Sequence, residues 1–217
     1  MSPTSYQTAP PRAAPPRYQR PSDLQLGSRR GGVVRFGMMG HMDLIDRYEE
    51  AANGFTDRLD AVGDDQWANS TPCTDWDVRQ LVDHVIDVQR AIPEGLGVSV
   101  EDGADAREKW NRVRAAAVEA LRQPGVLERT MPGRGGEVPV EMALLPRLSD
   151  LMLHGWDLAR ATGGDERLDA DTSAILLEFL EPNDEVIRST GTFGPRIEPP
   201  PGADAAVKLL CFAGRQP

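Results

Sequence analysis

The stretch RLSDLMLHGWDLARATG, residues 147–163, decides the fold class of this chain. Its apolar side chains recur at steps of three and four residues, which is the spacing of one face of an α-helix. Gly163 and Gly164 follow the last apolar turn, and glycine commonly closes a helix. The same spacing extends upstream, so we predict one long helix from about Pro139 to Thr162.

The rest of the chain beyond residue 42 carries the same helical pattern. It predicts five further helices, at about residues 43–62, 76–92, 104–122, 171–180 and 203–213. Thr74 or Asp75 is expected to cap the second of these and Pro93 to stop it, because proline cannot continue a helix. Residues 124–140 are rich in Gly and Pro and are expected to be irregular apart from a short extended piece. We therefore predict an all-α fold, a four-helix bundle with a short C-terminal helical extension.

Residues 1–37 are predicted to be a disordered arm, separate from the domain at 38–217. The arm carries six Pro and six Arg, and it cannot bury enough apolar surface to offset the entropy of ordering it. Arg29 and Arg30 invite interpretation as a twin-arginine export signal, but charged residues interrupt the apolar stretch that such a signal needs. We favour a disordered arm, or a true start at one of the methionines that follow it.

Charge and cysteine content exclude several classes of function. The chain has a net charge of −10, yet residues 1–40 contain six Arg and one Asp, so residues 41–217 are strongly acidic. Such a domain repels phosphate backbones, which argues against nucleic-acid binding. No stretch approaches the roughly 18 apolar residues of a membrane span. Cys73 and Cys211 are too few for a disulfide framework, and we expect a cytoplasmic protein.

Three residues could hold a metal ion. Asp150 and His154 are four residues apart and project from the same face of the predicted helix. An inward carboxylate is costly unless a partner neutralises it, and His84 lies near the apolar side of another helix. A divalent metal shared by Asp150, His154 and His84 would resolve that cost and would leave coordination positions open for water or substrate.

Spacing alone leaves a simpler interpretation open, in which Asp150 and His154 form a buried hydrogen-bonded pair and His84 is a core histidine. Asp83 and Asp87 are expected on the solvated face of their helix. We expect Asp157 to orient a ligand histidine or to pair with Arg160. Cys73 is expected to be structural, and no role is expected for His41. The tryptophans are expected to contribute to packing: Trp67, Trp76, Trp110 and Trp156.

Three segments together resemble one family: STPCTDWDVRQLVDHV at 70–85, LMLHGWDLARATG at 151–163 and GTFGPRIEPPPGADAAVKLLCFAGRQP at 191–217. They are similar to actinobacterial metal-binding proteins related to the N-terminal domain of mycothiol-dependent maleylpyruvate isomerase, in the DinB-like helical bundle superfamily. The resemblance covers about residues 42–217 in the same order and spacing. It implies a DinB-like four-helix bundle with the metal between helices at one end.

The resemblance also assigns ligands and chemistry. It places the metal on His84, Asp150 and His154, with Asp150 where glutamate is the commoner residue. Zinc is the first expectation, with nickel, iron or manganese as alternatives. The resemblance implies mycothiol as cosubstrate and a small electrophile as partner, because a metal-bound thiol loses its proton at neutral pH and can attack carbon.

The outcome of that chemistry is either thiol transfer or isomerisation, and metal-activated water could instead hydrolyse an amide or ester. The isomerase has an additional C-terminal domain, whereas only about 50 residues follow the long helix here, so its own substrate is not expected. The alternative is a non-catalytic metal- or ligand-binding bundle that acts as a sensor or docks a partner. A monomer or a homodimer is expected.

Overall fold

The computed structural model describes residues 41–133, 136–189, 191 and 193–217. The predicted arm at 1–37 lies outside the described residues. The long helices are α1 His41–Asp60, α2 Val78–Gly95, α3 Ala106–Leu121 and α4 Val140–Thr162. The shorter ones are α5 Ala170–Leu180, α6 Asp184–Ser189 and α7 Ala205–Phe212. Strands β1 Thr130–Gly133 and β2 Gly136–Pro139 form an antiparallel hairpin, and single 3-10 turns occupy Val126–Glu128 and Glu181–Asn183.

The four long helices pack around a single hydrophobic core. Helix α1 packs against α3 and α4, and helix α2 also packs against α3 and α4. Tyr48, Phe55 and Trp110 are fully buried, and the Phe55 and Trp110 rings meet edge to face with their centroids 4.8 Å apart. The Trp110 indole N–H donates to the Thr56 hydroxyl at 2.8 Å, so the largest core side chain has its polar atom satisfied. The predicted helical fold is confirmed, while the DinB-like assignment stays a prediction.

Helix α2 begins and ends later than the sequence predicted. Asp77 caps the helix, since its carboxylate accepts from the Gln80 N–H and its own N–H donates to the Gln80 side chain. The prediction of Thr74 or Asp75 as cap was wrong, because residues 70–77 fold back on themselves before the helix starts. Pro93 does not stop the helix, because it lies in the last turn, where its ring is buried and its carbonyl accepts from downstream N–H groups.

Helix α4 lies at the centre of the fold. It packs against α1 and α2 and also contacts the hairpin and α5, so every residue from 151 to 159 is buried. Gly163 ends the helix in the left-handed conformation with φ 73°, as the sequence predicted. Side chains that α4 directs toward α2 are consequently held in a largely dry environment.

The remaining differences are small. The short extended piece expected within 124–140 is part of the hairpin, and α6 was not foreseen because six residues are too few to show a helical period. No helix among the described residues is both long enough and apolar enough to cross a membrane.

Candidate metal centre

One carboxylate and two imidazoles converge between α2 and α4. The Asp150 Oδ1 atom lies 3.1 Å from His84 Nε2 and 3.5 Å from His154 Nε2. One ligand atom from each of the three residues can be chosen so that all lie within 4.8 Å of one another. The structure therefore brings together the three residues that the sequence selected, although His84 and Asp150 are 66 positions apart.

The ionised carboxylate of Asp150 and the protonated imidazole of His154 stabilise each other. Burial alone would raise the pKa of Asp150, but the neighbouring His154 and His84 outweigh it and lower that pKa. Burial alone would lower the pKa of His154, but Asp150 and Asp157 outweigh it and raise that pKa well above its ordinary value. Asp150 is accordingly an anion, as a metal ligand must be.

One oxygen of the Asp150 carboxylate has no hydrogen-bond partner among the described residues. Asp150 Oδ2 is buried and accepts no hydrogen bond from the described residues. A buried carboxylate oxygen without a partner is costly and calls for an explanation. A divalent cation beside Asp150, His84 and His154 would supply one, so the residues present fit a metal ion.

An aromatic side chain forms one wall of the cluster. The Trp76 ring lies 4.4 Å from the His84 ring and 5.6 Å from the His154 ring, measured between centroids. Trp76 was expected to contribute to packing, and it packs against these two imidazoles as well as against the hydrophobic core. The fold-back of residues 70–77 before α2 is what places it there.

Behind His154 lies a second layer of charged groups. His154 Nδ1 is 2.9 Å from Asp157 Oδ2, and Asp157 is fully buried. A carboxylate on the far nitrogen fixes the ring orientation of a metal-binding histidine, so the expectation that Asp157 orients a histidine agrees with the geometry. The alternative pairing with Arg160 was wrong. Arg215 binds Asp157 instead, while Arg160 contacts Glu166.

Cys73 joins this second layer. Its Sγ atom lies 3.4 Å from Asp157 Oδ2 and 3.8 Å from His154 Nδ1, so Cys73, Asp157 and His154 form a second group that could hold a metal. This group already contains a cation, because the Arg215 guanidinium donates to both oxygens of Asp157. Among the described residues, no guanidinium binds the group of His84, Asp150 and His154, and the oxygen without a hydrogen-bond partner belongs to this group, so it is the better metal site.

Sequence reasoning missed Cys73 and Arg215 as neighbours of the site. Their side chains meet across 142 positions of the chain, and neither residue has a periodic neighbour that would indicate a shared face. Asp83 and Asp87 are exposed, as expected. The side chain of His41 is not described.

Two cavities lie away from the cluster. One, of about 660 Å³, is lined by residues of α2, α3 and the segment between them, including Asp83, Asp87 and Lys109. The other, of about 220 Å³, lies between α1, α4 and the segment leading to α5. Neither is lined by the three candidate ligands.

Fold and site together define a helical protein in which two histidines and an aspartate meet between two long helices. Residues 48–102 match the family model of the mycothiol maleylpyruvate isomerase N-terminal domain. Two uncharacterised proteins of Mycobacterium tuberculosis, from strains CDC 1551 and H37Rv, are each 30% identical to this chain over 135 residues. That similarity covers 60% of this chain and 73% of each relative. The chain therefore belongs to the mycothiol maleylpyruvate isomerase N-terminal domain family, and no solved structure matches it.

Proposed function

We propose that this protein binds one divalent metal ion, zinc in the first place, through His84, Asp150 and His154. The observation that carries the proposal is the Asp150 carboxylate, which lies between two imidazoles and has one buried oxygen with no hydrogen-bond partner in the part of the chain that the structure describes. Two imidazoles and a carboxylate are a common ligand set for catalytic zinc, and three protein ligands leave a coordination position open. Nickel, iron and manganese are the alternatives that the same donors accept.

We further propose that the open position takes a low-molecular-weight thiol of the mycothiol class, as the family relation suggests. When bound, the metal supplies a Lewis acid that lowers the pKa of such a thiol. The chain's own residues orient the donors: Asp157 holds His154 from behind, and Trp76 packs on the His84 ring. The His84 side chain is 29% exposed and that of His154 10%, so a thiol would approach from the His84 side.

The reaction that follows is thiol addition to a small electrophilic carbon, ending in transfer or, after release of the thiol, in double-bond isomerisation. A second function is supported by a specific observation. None of the three ligands lines either of two cavities of about 660 and 220 Å³, so neither cavity would hold a substrate at the metal, and this second function is a bundle that binds metal without turning over a substrate.

Cobalt substitution separates the two functions. The protein loaded with cobalt(II) is titrated with mycothiol while its visible and near-ultraviolet absorption is recorded. A new thiolate-to-cobalt charge-transfer band, absent from the His84→Ala variant, supports the thiol-dependent enzyme. A cobalt spectrum that mycothiol leaves unchanged contradicts thiol binding and favours the non-catalytic metal protein.

A further inference from the structure

The Arg215 side chain is largely shielded from solvent in the turn that follows α7. Its side chain is 10% exposed. The backbone turns back after α7, where the Arg215 N–H donates to the Leu210 carbonyl at 2.8 Å and Gly214 has φ 80°. The Arg215 Nη1 donates to the Ala213 carbonyl at 3.1 Å. The C-terminal turn thus directs one guanidinium into the interior beside α4.

The guanidinium is bound at two points. Arg215 Nε donates to Asp157 Oδ1 at 3.1 Å and Nη2 donates to Asp157 Oδ2 at 2.7 Å. Such a paired contact is stronger and more directional than a single ionic contact. Nη2 also lies 3.7 Å from Cys73 Sγ. Arg215 therefore contacts both members of the second ligand group that are not shared with the first.

We infer that Arg215 is a positioning residue of the metal centre, which it acts on through Asp157 and His154. Arg215 holds the Asp157 carboxylate in place, so that the carboxylate accepts a hydrogen bond from the Nδ1–H of His154. His154 Nε2 is then left facing Asp150 and His84. The guanidinium also supplies, among Cys73, Asp157 and His154, the positive charge that a second metal ion would bring. Only one metal ion therefore binds. This inference rests on the metal binding proposed above.

A lysine would not replace this arginine fully. Lysine carries the same charge, but its ammonium is a point charge without the planar fork that meets both carboxylate oxygens. Arg215→Lys should therefore still exclude a second cation while it orients Asp157 less well. Arg215→Gln removes both the charge and the fork.

Zinc affinity is the first measurement, made on the full chain by competition with a chromophoric chelator. Arg215→Gln should weaken zinc binding by about 10- to 100-fold, the range found when the outer partner of a ligand histidine is removed, and Arg215→Lys should lie between Arg215→Gln and wild type. The matched control is Arg160→Gln, since Arg160 donates a hydrogen bond to the carbonyl of Gln216, the residue next to Arg215, but does not contact the candidate metal ligands. It should bind zinc as wild type does.

Histidine NMR tests positioning separately from folding. The chain has three histidines, so ¹⁵N-histidine labelling gives a spectrum simple enough to assign. In zinc-loaded wild type and Arg160→Gln, the Nδ1 proton of His154 should give a resonance that persists because it exchanges slowly with water. In zinc-loaded Arg215→Gln that resonance should broaden or vanish while the protein remains folded by circular dichroism.

Cadmium stoichiometry tests the excluded second metal. Wild type and Arg215→Lys should bind one equivalent of cadmium. Arg215→Gln should bind two, with the ultraviolet absorption of a cadmium–thiolate bond. Adding Cys73→Ser to Arg215→Gln should return the stoichiometry to one and remove the absorption.

The results separate this inference from the proposed function. If wild type binds no zinc, the metal centre itself is refuted and the inference falls with it. If wild type binds zinc and Arg215→Gln matches it in zinc affinity, His154 resonance and cadmium stoichiometry, only the role of Arg215 is refuted. Should Arg215→Gln not fold, Arg215→Lys decides: weakened zinc binding with one cadmium supports the inference, and wild-type zinc affinity overturns it.

Discussion

His154 presents its two ring nitrogens to two different carboxylates. Nε2 faces Asp150 at 3.5 Å and Nδ1 faces Asp157 at 2.9 Å. The two acids differ in what else they contact: Asp157 is bound by Arg215, whereas one oxygen of Asp150 has no hydrogen-bond partner among the residues described. That asymmetry assigns Asp150 to the metal and Asp157 to the orientation of the ring.

Single substitutions should reproduce this assignment. His84→Ala and His154→Ala should each abolish tight zinc binding, and Asp150→Ala should weaken it strongly, because each removes one of three ligands. Asp83→Ala, which alters an exposed acid on the outer face of α2, should have little effect. Chelator competition gives the four dissociation constants, and an equal loss in Asp83→Ala and Asp150→Ala would mean that the helix faces are wrongly assigned.

The stability of the metal-free protein should fall as the solution becomes alkaline. Burial lowers the pKa of His154, but Asp150 and Asp157 outweigh burial and raise that pKa well above 6.5. A group with a raised pKa stabilises the folded chain below its unfolded-state pKa, and this contribution is lost as pH rises through the folded-state pKa. The free energy of unfolding of the metal-free chain should therefore decline above pH 6.5.

Zinc should reverse that slope. His154 must give up its Nε2 proton to bind the metal, whereas the same residue in the unfolded chain still takes up a proton below pH 6.5. The free energy of unfolding of the zinc-loaded protein should thus rise toward that pH and then level off. Denaturant unfolding with and without zinc, over about pH 5.5 to 8.5, measures both curves, and parallel curves would show that zinc does not displace the Nε2 proton of His154.

At the scale of elements, the sequence predicts the helices that carry the ligands better than the segments that surround them. The period of α4 places Asp150 and His154 on one face, the apolar pattern of α2 places His84 near its inner side, and the resemblance assigns the metal to all three. The bounds of α2 were wrong at both ends because the fold-back before it and the packed last turn at Pro93 depend on contacts that a helical period does not show.

The turn after α7 should matter more than its position near the C-terminus suggests. Gly214 has φ 80°, and a Cβ there would lie 2.9 Å from the Pro195 carbonyl oxygen. Gly214→Ala should therefore cost the roughly 1–2 kcal/mol of left-handed backbone strain and a displaced contact besides. Because this turn directs Arg215 to Asp157, zinc affinity should fall with it.

A second glycine provides the matched control for this prediction. Gly202 has a similar φ of 78°, but a Cβ there meets no atom within 4 Å. Gly202→Ala should lower the Tm less than Gly214→Ala does and leave zinc affinity unchanged. Thermal unfolding and chelator competition on both variants check this. Equal zinc affinities in the two variants would show that the turn at Gly214 does not affect the metal site.

At the scale of the whole molecule, the site depends on contacts between distant segments that no local sequence pattern predicts. Cys73 precedes α2, Asp157 lies on α4 and Arg215 follows α7, and their side chains meet across up to 142 positions. Composition and period predict a helical core and the direction in which a face points. They do not predict which distant segment packs against that face, so Cys73 and Arg215 became visible as members of the second layer only in the folded chain.

Metal binding should stabilise the whole fold, because a bound ion links α2 to α4. A ligand that binds only the folded chain adds about 2.7 kcal/mol to the free energy of unfolding at 100 times its dissociation constant. Zinc should raise the Tm of wild type, and a chelator should reverse the rise. The His84→Ala/His154→Ala variant should show no zinc-dependent shift, and a shift of wild-type size there would place the metal elsewhere.

The most direct test of the metal centre is the metal content of the purified 217-residue chain, measured by mass spectrometry beside the His84→Ala/His154→Ala variant. We expect about one divalent metal per chain in wild type, in line with the three-ligand site, and none in the variant. Absence of metal from wild type, even after reconstitution with zinc, nickel, iron and manganese, would contradict the account and leave His84 and His154 as histidines paired with Asp150 alone.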